Sequence, residues 1–259
     1  MVKSGTVNAP KRGCFFKNMQ LSIIIPAYNE AQYLAQKLDQ YLAAWSADTE
    51  FLVVPNGCTD DTPSIAQSYA DRFPNVRVHV IPEAVGKAMA VRAGLQRAQG
   101  DWVAFLDADG STSAAEFQHI FNARRDADGV IASRWAPGAR VENRSGLRKL
   151  ASYVFAGVVK MLFWMPYRDT QCGAKIFRRE LIQRILPCLR VRNIAFDVEL
   201  LLLCRRAGAQ IVEYPTHWVD RSDSVIIGSP LKLVRSSLSM LWTLLTLRLR
   251  FFPFIAPRP

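Results

Sequence analysis

Apolar runs alternate with amphipathic stretches through the first half of the chain. Leu21–Ile25 is an apolar run, and helical periodicity follows from about Glu30 to Trp45. Phe51–Val54, Val76–Ile81 and Trp102–Leu106 repeat the strand pattern, with helices predicted from about Asp61, over Gly86 to Ala98, and after the last of these runs. Val130–Ala132 predicts a fifth strand. Strands buried on both faces read as continuous apolar runs, and strand–helix alternation predicts an α/β fold around a mostly parallel sheet. Ligands of such sheets bind at the carboxyl ends of the strands, where this chain's unusual clusters fall.

The second half is less regular. Leu147–Met165 is apolar and helical, and residues 195–206 predict a buried helix carrying Asp197 and Glu199. Near the C-terminus, Lys232, Ser236, Ser239, Thr243, Thr246 and Arg250 recur at spacings of four and three, with Leu238, Leu241, Trp242, Leu244, Leu245 and Leu247 between them. That is a helix with one narrow polar stripe and a broad apolar surface. Its uncharged part, Ser236–Leu247, falls short of the ~20 residues a bilayer span needs. The pattern fits a helix lying in a membrane interface; the alternative is a helix packed on the protein's own core.

Charge sharpens the picture. The 259 residues carry a formal net charge of +11, which calls for an anionic partner. Arg134–Arg168 holds seven Lys or Arg against one acid, Glu142, and five bases with no acid follow Val225. These bases flank the two apolar helical segments. No helix-turn-helix or RNA-recognition signature accompanies them, which argues against nucleic acid. The five cysteines lack CxxC spacing and no apolar signal segment opens the chain, so a reduced, cytosolic protein is expected.

Four clusters carry candidate chemistry. Asp107-Ala108-Asp109 closes the fourth strand, and alternate residues of extended chain point the same way, so both carboxylates can meet one hard cation. The same pair also suits a solvated turn or a helix cap at Asp109. Pro26-Ala27-Tyr28-Asn29-Glu30 follows the first strand, with Tyr28 offering a stacking face and Glu30 opening a helix. Pro55-Asn56-Gly57-Cys58-Thr59-Asp60-Asp61-Thr62 is turn chemistry plus a helix cap at Thr59 or Asp60. Gly86-Lys87 at a helix start can hold a diphosphate, although no P-loop is present.

In this order, with Asp169-Thr170-Gln171-Cys172-Gly173-Ala174-Lys175-Ile176-Phe177 and Ala195-Phe196-Asp197-Val198-Glu199-Leu200-Leu201 downstream, the sequence resembles the family-2 inverting glycosyltransferases of the GT-A fold. Within them it resembles the polyprenyl-phosphate branch, which includes dolichyl-phosphate glucosyltransferases and dolichol-phosphate mannose synthases. The likeness runs from about Leu21 to Ser224 and implies a GT-A domain over 21–224; the charge and periodicity outside it give a disordered basic leader over 1–20 and an amphipathic, membrane-interfacial segment over 225–259. The likeness also implies roles. Pro26, Ala27, Tyr28, Glu30, Asn56 and Lys87 would line the donor pocket, for UDP-glucose or GDP-mannose. Asp107 and Asp109 would hold Mg²⁺ or Mn²⁺ on the diphosphate. Arg134, Arg148, Ser152 and Arg221 would grip the phosphate of a lipid acceptor, with Gln171 and Asp197 beside the reacting centre. Localisation would be peripheral or monotopic at the cytoplasmic face of a membrane.

Two departures qualify the resemblance. Pro55-Asn56 replaces the family's acidic pair, leaving Asn56 to hydrogen-bond a uracil or ribose without charge. Ser222-Asp223-Ser224-Val225 replaces a Gly-x-Ser-Lys, which bears on Arg221. Two rival readings accompany the main one: a hydroxyl acceptor with Asp197 as general base, or an inactive nucleotide-sugar-binding fold. Asp197 is equally suited to a buried pair with an arginine such as Arg205.

Overall fold

The computed structural model describes residues 19–143, 146–220 and 230–252. Nine strands form in chain order: β1 (Leu21–Ala27), β2 (Thr49–Pro55), β3 (Val76–Val78), β4 (Trp102–Phe105), β5 (Gly129–Ser133), β6 (Arg140–Glu142), β7 (Lys175–Arg178), β8 (Ile211–Pro215) and β9 (His217–Val219). Seven make one sheet in the order β3-β2-β1-β4-β7-β5-β8, and β6 pairs with β9 in a small parallel ladder. Within the large sheet β7 alone runs antiparallel to its neighbours. Mostly parallel pairing is the expected result; the strands of the second half were not read from the sequence.

The helices are α1 (Ala31–Ala44), α2 (Thr62–Arg72), α3 (Lys87–Leu95), α4 (Ala114–Asn122), α5 (Gly146–Phe163), α6 (Arg179–Ile185), α7 (Phe196–Arg206) and α8 (Pro230–Arg250). They cover both faces of the sheet, which explains the uninterrupted apolar strands. In β1, Ile23 and Ile25 point into a core shared with α1, α2 and α4, while Ile24 points into the opposite core, shared with α3, α5, α6, α7 and α8. A side chain at Gly94 of α3 would place its Cβ 2.4 Å from Ile24, so glycine here lets α3 lie against the sheet. The expected leader ends earlier than residue 20. Met19 is buried, and Gln20 donates its N–H to Asp48 at 2.9 Å, extending the start of β1; residues 1–18 lie outside the described residues.

No helix among the described residues is long and apolar enough to cross a membrane. On α8 the two sequence readings both find support, on different faces. Leu244, Leu247 and Phe251 are buried in the core. Thr243 accepts a hydrogen bond from Asn193 at 2.8 Å, and Arg250 donates to Glu199 and to the Cys188 carbonyl. The end of the polar stripe therefore turns toward the protein. The outer face is apolar: Trp242 is 70% exposed and Leu249 78%, with Leu241, Leu245 and Phe252 beside them. Tyr153, Val154 and Met161 of α5, which packs on α8, are exposed as well.

Glu199 fastens this corner. It is fully buried in α7 and accepts the backbone N–H of Arg190 at 2.8 Å and of Val191 at 2.7 Å, besides the Arg250 guanidinium. Glu199→Gln removes the charge and turns an amide donor toward groups that already donate. It is expected to cost about 2–4 kcal/mol by equilibrium urea denaturation of the full chain. A loss under about 1 kcal/mol would show that the contact is dispensable.

Candidate active site

The site forms where the parallel strands end. The loops after β1 and β2 are stitched together by short polar side chains. The N–H of Glu30 donates to Thr62 Oγ1 at 2.8 Å, and that of Ala31 to Asp60 Oδ2 at 3.0 Å. Asp60 also accepts from the Thr62 N–H at 3.0 Å, while the N-cap position of α2 falls on Asp61, one residue beyond the expected Thr59 or Asp60. Pro26 and Ala27 are buried at the end of β1, Tyr28 is exposed, and Glu30 is partly buried at the start of α1.

Asn56 has a different task from the base contact expected of it. It is buried, its amide donates to the Ala27 carbonyl at 3.0 Å, and its Oδ1 accepts from the Gly86 N–H at 3.1 Å. Both ends of the amide are spent inside the protein, joining the ends of β1 and β2 to the turn that begins α3. That turn delivers Lys87, whose ammonium pairs with Asp107.

Asp107 and Asp109 follow β4, and Asp109 Oδ1 accepts from the Ser111 N–H at 2.8 Å. The antiparallel β7 supplies the opposite wall. Its register sets Lys175 beside Phe105, so the preceding turn lies against Asp107. A Cβ on Gly173 would fall 2.0 Å from Asp107 Oδ2; glycine is what admits the carboxylate. Lys175 is fully buried and donates to Asp197 Oδ1 and to the Cys172 carbonyl, each at 2.6 Å. The arginine partner considered for Asp197 is thereby replaced by a lysine from the neighbouring strand, while Arg205 donates to the carbonyls of Phe163 and Trp164.

Of the residues expected to grip an acceptor phosphate, Arg134 is committed within the protein. Arg134 is clamped by Asp169, Nε to Oδ2 at 2.7 Å and a terminal nitrogen to Oδ1 at 3.0 Å, with its guanidinium 5.4 Å from the Trp218 ring centre. That geometry makes it a brace between β5 and the turn before β7. Ser152 lies half-buried on α5. The Arg148 side chain and all of Arg221 lie outside the described residues. Gln171 stands differently: its Nε2 is buried without a hydrogen-bond partner, as is the neighbouring Thr170 Oγ1. Adjacent buried polar groups left unpaired beside a candidate site are what a ligand would satisfy.

Electrostatics unite these groups. Burial alone would push the Lys87 ammonium down, but Asp107, Asp197 and Asp109 hold it above its ordinary value. Burial raises Asp107, and Lys87, aided by Lys175 and Arg134, outweighs that and holds it below the usual carboxylate range. Asp109 is raised, by burial and then by Asp107. Glu30 is pushed up to about 7 by burial and by Asp109, Asp107 and Asp60. Carboxylates thus outnumber the cations that face them. No group of three or more His, Cys, Asp or Glu able to hold a metal occurs among the described residues. The two aspartates nonetheless fit an ion that takes its remaining oxygens from substrate phosphates and water, as Mg²⁺ commonly does. Asp169, Gly173 and Lys175 belong to the site but were only quoted within a motif by sequence reasoning. A lysine inside the run Ala174–Phe177 was the available signal, because a charge in a buried strand needs a partner.

Glu30 yields a test. It holds its proton more tightly in the folded chain than at its ordinary value of 4.5. The stability it lends is full below that value and is lost as pH rises through about 7. In thermal melts without divalent ions, Glu30→Gln is expected to melt above the parent at about pH 8, the difference closing toward about pH 4.5. An offset independent of pH would contradict the assignment.

Comparison with known proteins agrees with this geometry. The sequence profile "Glycosyl transferase family 2" matches residues 22–186. The dolichyl-phosphate beta-glucosyltransferase of Dictyostelium discoideum is 30% identical over 251 residues, covering 90% of this chain and 75% of that one. The Homo sapiens protein of the same name is 32% identical over 250 residues, covering 90% and 76%. Among solved structures, glucosyl-3-phosphoglycerate synthase from Mycobacterium tuberculosis, in complex with Mn²⁺, uridine diphosphate and phosphoglyceric acid, superposes with a TM-score of 0.64 at 19% identity, covering 88% of this chain and 78% of that one. It shares the fold, a GT-A sheet with the same mostly parallel architecture. By the profile, the extent of its relatives and its fold, this chain belongs to glycosyl transferase family 2.

Proposed function

We infer that this enzyme transfers a hexose, with glucose favoured, from a nucleotide-sugar donor to a polyprenyl or dolichyl phosphate with inversion. The observation that carries the inference is the convergence of Lys87, Asp107, Asp109, Asp197 and the unpaired Gln171 and Thr170 polar groups at one sheet edge. The curated relatives named dolichyl-phosphate beta-glucosyltransferases favour glucose as the sugar and a lipid phosphate as the acceptor. UDP-glucose is the donor that goes with that reading, and GDP-mannose is the alternative.

The proposed chemistry needs little from the protein beyond position and charge. A departing nucleoside diphosphate develops negative charge, and Lys87 stands at the start of α3 to meet it. Asp107 and Asp109 would hold Mg²⁺ or Mn²⁺, which when bound would supply Lewis-acid stabilisation of the same charge. An ionised phosphate acceptor requires no strong base; it requires orientation for in-line attack. Asp197 agrees with that economy, since its carboxylate is committed to Lys175 and less available as the base a hydroxyl acceptor would need. Pro26, Ala27 and Tyr28 form the wall for the nucleoside, Asn56 sets the Lys87 turn, and Gln171 offers its free N–H donors to the substrates. Ser152, Arg148 and Arg221 are the proposed acceptor side, with Arg134 as its brace.

The exposed apolar faces of α5 and α8 support a membrane-surface location, peripheral or monotopic, where a lipid phosphate is within reach; the cytoplasmic side is part of the same proposal. Residues 21–224 are then the catalytic unit, 225–259 the interfacial segment, and 1–20 the leader apart from its last two residues.

Purified protein with Mg²⁺ or Mn²⁺, labelled UDP-glucose or GDP-mannose, and a short polyprenyl phosphate tests this directly. Metal-dependent label in the organic phase, lost by at least about 100-fold in Asp109→Ala, is the expected outcome. Donor turnover without lipid product would redirect the reading to hydroxyl acceptors, and absence of donor binding would favour an inactive fold.

A further inference from the structure

A cleft of about 440 Å³ opens between the segment before α7 and the last turns of α8. It is lined by Arg190, Arg192, Asn193, Thr243, Thr246 and Arg250, with no acidic residue among its lining groups. Arg250 and Asn193 hold the cleft together, through Glu199 and the Cys188 carbonyl and through Thr243 respectively. Arg190 and Arg192 are exposed and make no ion pair among the described contacts. The hydroxyls of Thr243 and Thr246 already donate to the Ser239 and Thr243 carbonyls, so the two exposed guanidinium groups are the cleft's free donors for phosphate oxygens.

What the cleft borders decides the source of that phosphate. Thr246 lies on one helical row with Trp242 four residues before it and Leu249 three after it. Trp242 is 70% and Leu249 78% exposed, so the lip of the cleft is the outer apolar face of α8. Ile194, beside Arg192 and Asn193, is 49% exposed. A basic cleft edged by large apolar side chains matches a lipid headgroup whose acyl chains lie against the same edge.

We propose that this cleft binds the phosphate headgroup of an anionic phospholipid, a lipid distinct from the acceptor. The proposal rests on the membrane-surface reading given above. Occupancy fixes how the enzyme sits on the bilayer: Trp242, Leu245 and Leu249 enter the interface, and the segment that Glu199 ties to α7 is held at headgroup level. Since α7 carries Asp197, the anchoring point and the candidate reacting centre share one rigid helix.

Co-sedimentation of the full chain with vesicles tests it, using phosphatidylcholine alone and phosphatidylcholine with about a quarter phosphatidylserine. Arg190→Ala/Arg192→Ala is compared with Arg72→Ala/Arg125→Ala, which removes equal charge from α2 and the end of α4 on the opposite face of the sheet. The parent is expected to prefer the anionic vesicles. The cleft pair is expected to lose about 25-fold in affinity for them, roughly fivefold per arginine, and the control pair to change little. Equal losses in the two pairs would reduce the effect to diffuse charge and overturn the proposal, as would a parent without anionic preference. Removal of the preference by millimolar inorganic phosphate would make the cleft a free-phosphate site and overturn the lipid assignment. Transfer to a short polyprenyl phosphate in detergent separates the two readings. Cleft-pair turnover at the parent level, with anionic binding lost, supports the cleft as an anchor. Anionic binding lost in the cleft pair while even the parent shows no transfer would leave the cleft standing and remove the acceptor assignment.

Discussion

Negative charge gathered at one edge of a sheet is the constraint around which this protein is arranged. Parallel strands bring their carboxyl ends to one side, and here those ends carry Glu30, Asp107 and Asp109, with Asp197 arriving from α7. Burial makes each carboxylate costly, and their mutual repulsion adds to the cost. The chain answers with two lysines placed by different means. Lys87 reaches Asp107 from the start of α3, on a turn that Asn56 holds. Lys175 reaches Asp197 from inside the sheet, because β7 runs against its neighbours and sets that residue level with Phe105. Removing either partner of such a buried pair leaves an uncompensated charge, which is why the antiparallel strand is part of the site and not an accident of topology.

The compensation is incomplete by design. Asp109 and Glu30 remain raised after Lys87 and Lys175 are counted. A site that were neutral when empty would have little to offer a divalent ion or the diphosphate it accompanies. One that holds surplus carboxylate next to an ammonium suits both, the ion on the acids and the phosphates on Lys87. Gly173 serves the same end sterically, since any side chain there would occupy the space of the Asp107 carboxylate.

Much of this was legible in the sequence, and the reasons for the rest are physical. The first five strands were readable because a doubly covered sheet forces unbroken apolar runs such as Ile23-Ile24-Ile25. The clusters at their ends were readable because turn and cap chemistry departs from that pattern. β7 and β8 were not, since they are four and five residues long and carry Lys175 and Glu213, which break the apolar signal. Asn56, expected in the donor pocket, also braces neighbouring backbone, because sequence shows a side chain's hydrogen-bonding capacity and not how much of it neighbouring backbone uses. Arg134 shows the same limit: its spacing suits a phosphate grip, but Asp169, 35 positions later, claims the guanidinium. The polar stripe of α8 was visible as periodicity, but periodicity does not say which side of a helix faces the protein.

That orientation gives the most consequential link between fold and function. A helix docked on a water-soluble surface normally buries its apolar face and shows its polar one. α8 buries Leu244, Leu247 and Phe251, directs Thr243 and Arg250 toward Asn193 and Glu199, and leaves Trp242, Leu245, Leu249 and Phe252 outside. Exposed area of that kind is unfavourable in water, while the inward polar contacts satisfy the buried Glu199 whatever lies outside. A lipid interface reverses the account: the outer row gains from burial in it, and Glu199 keeps the helix in register against α7 while it does so. On the proposed reading, the enzyme draws a hydrophobic acceptor from the membrane while the charge-rich edge of its sheet remains in water with the soluble donor. The two halves of the sequence, one regular and acidic at its strand ends, the other basic and apolar, correspond to those two environments.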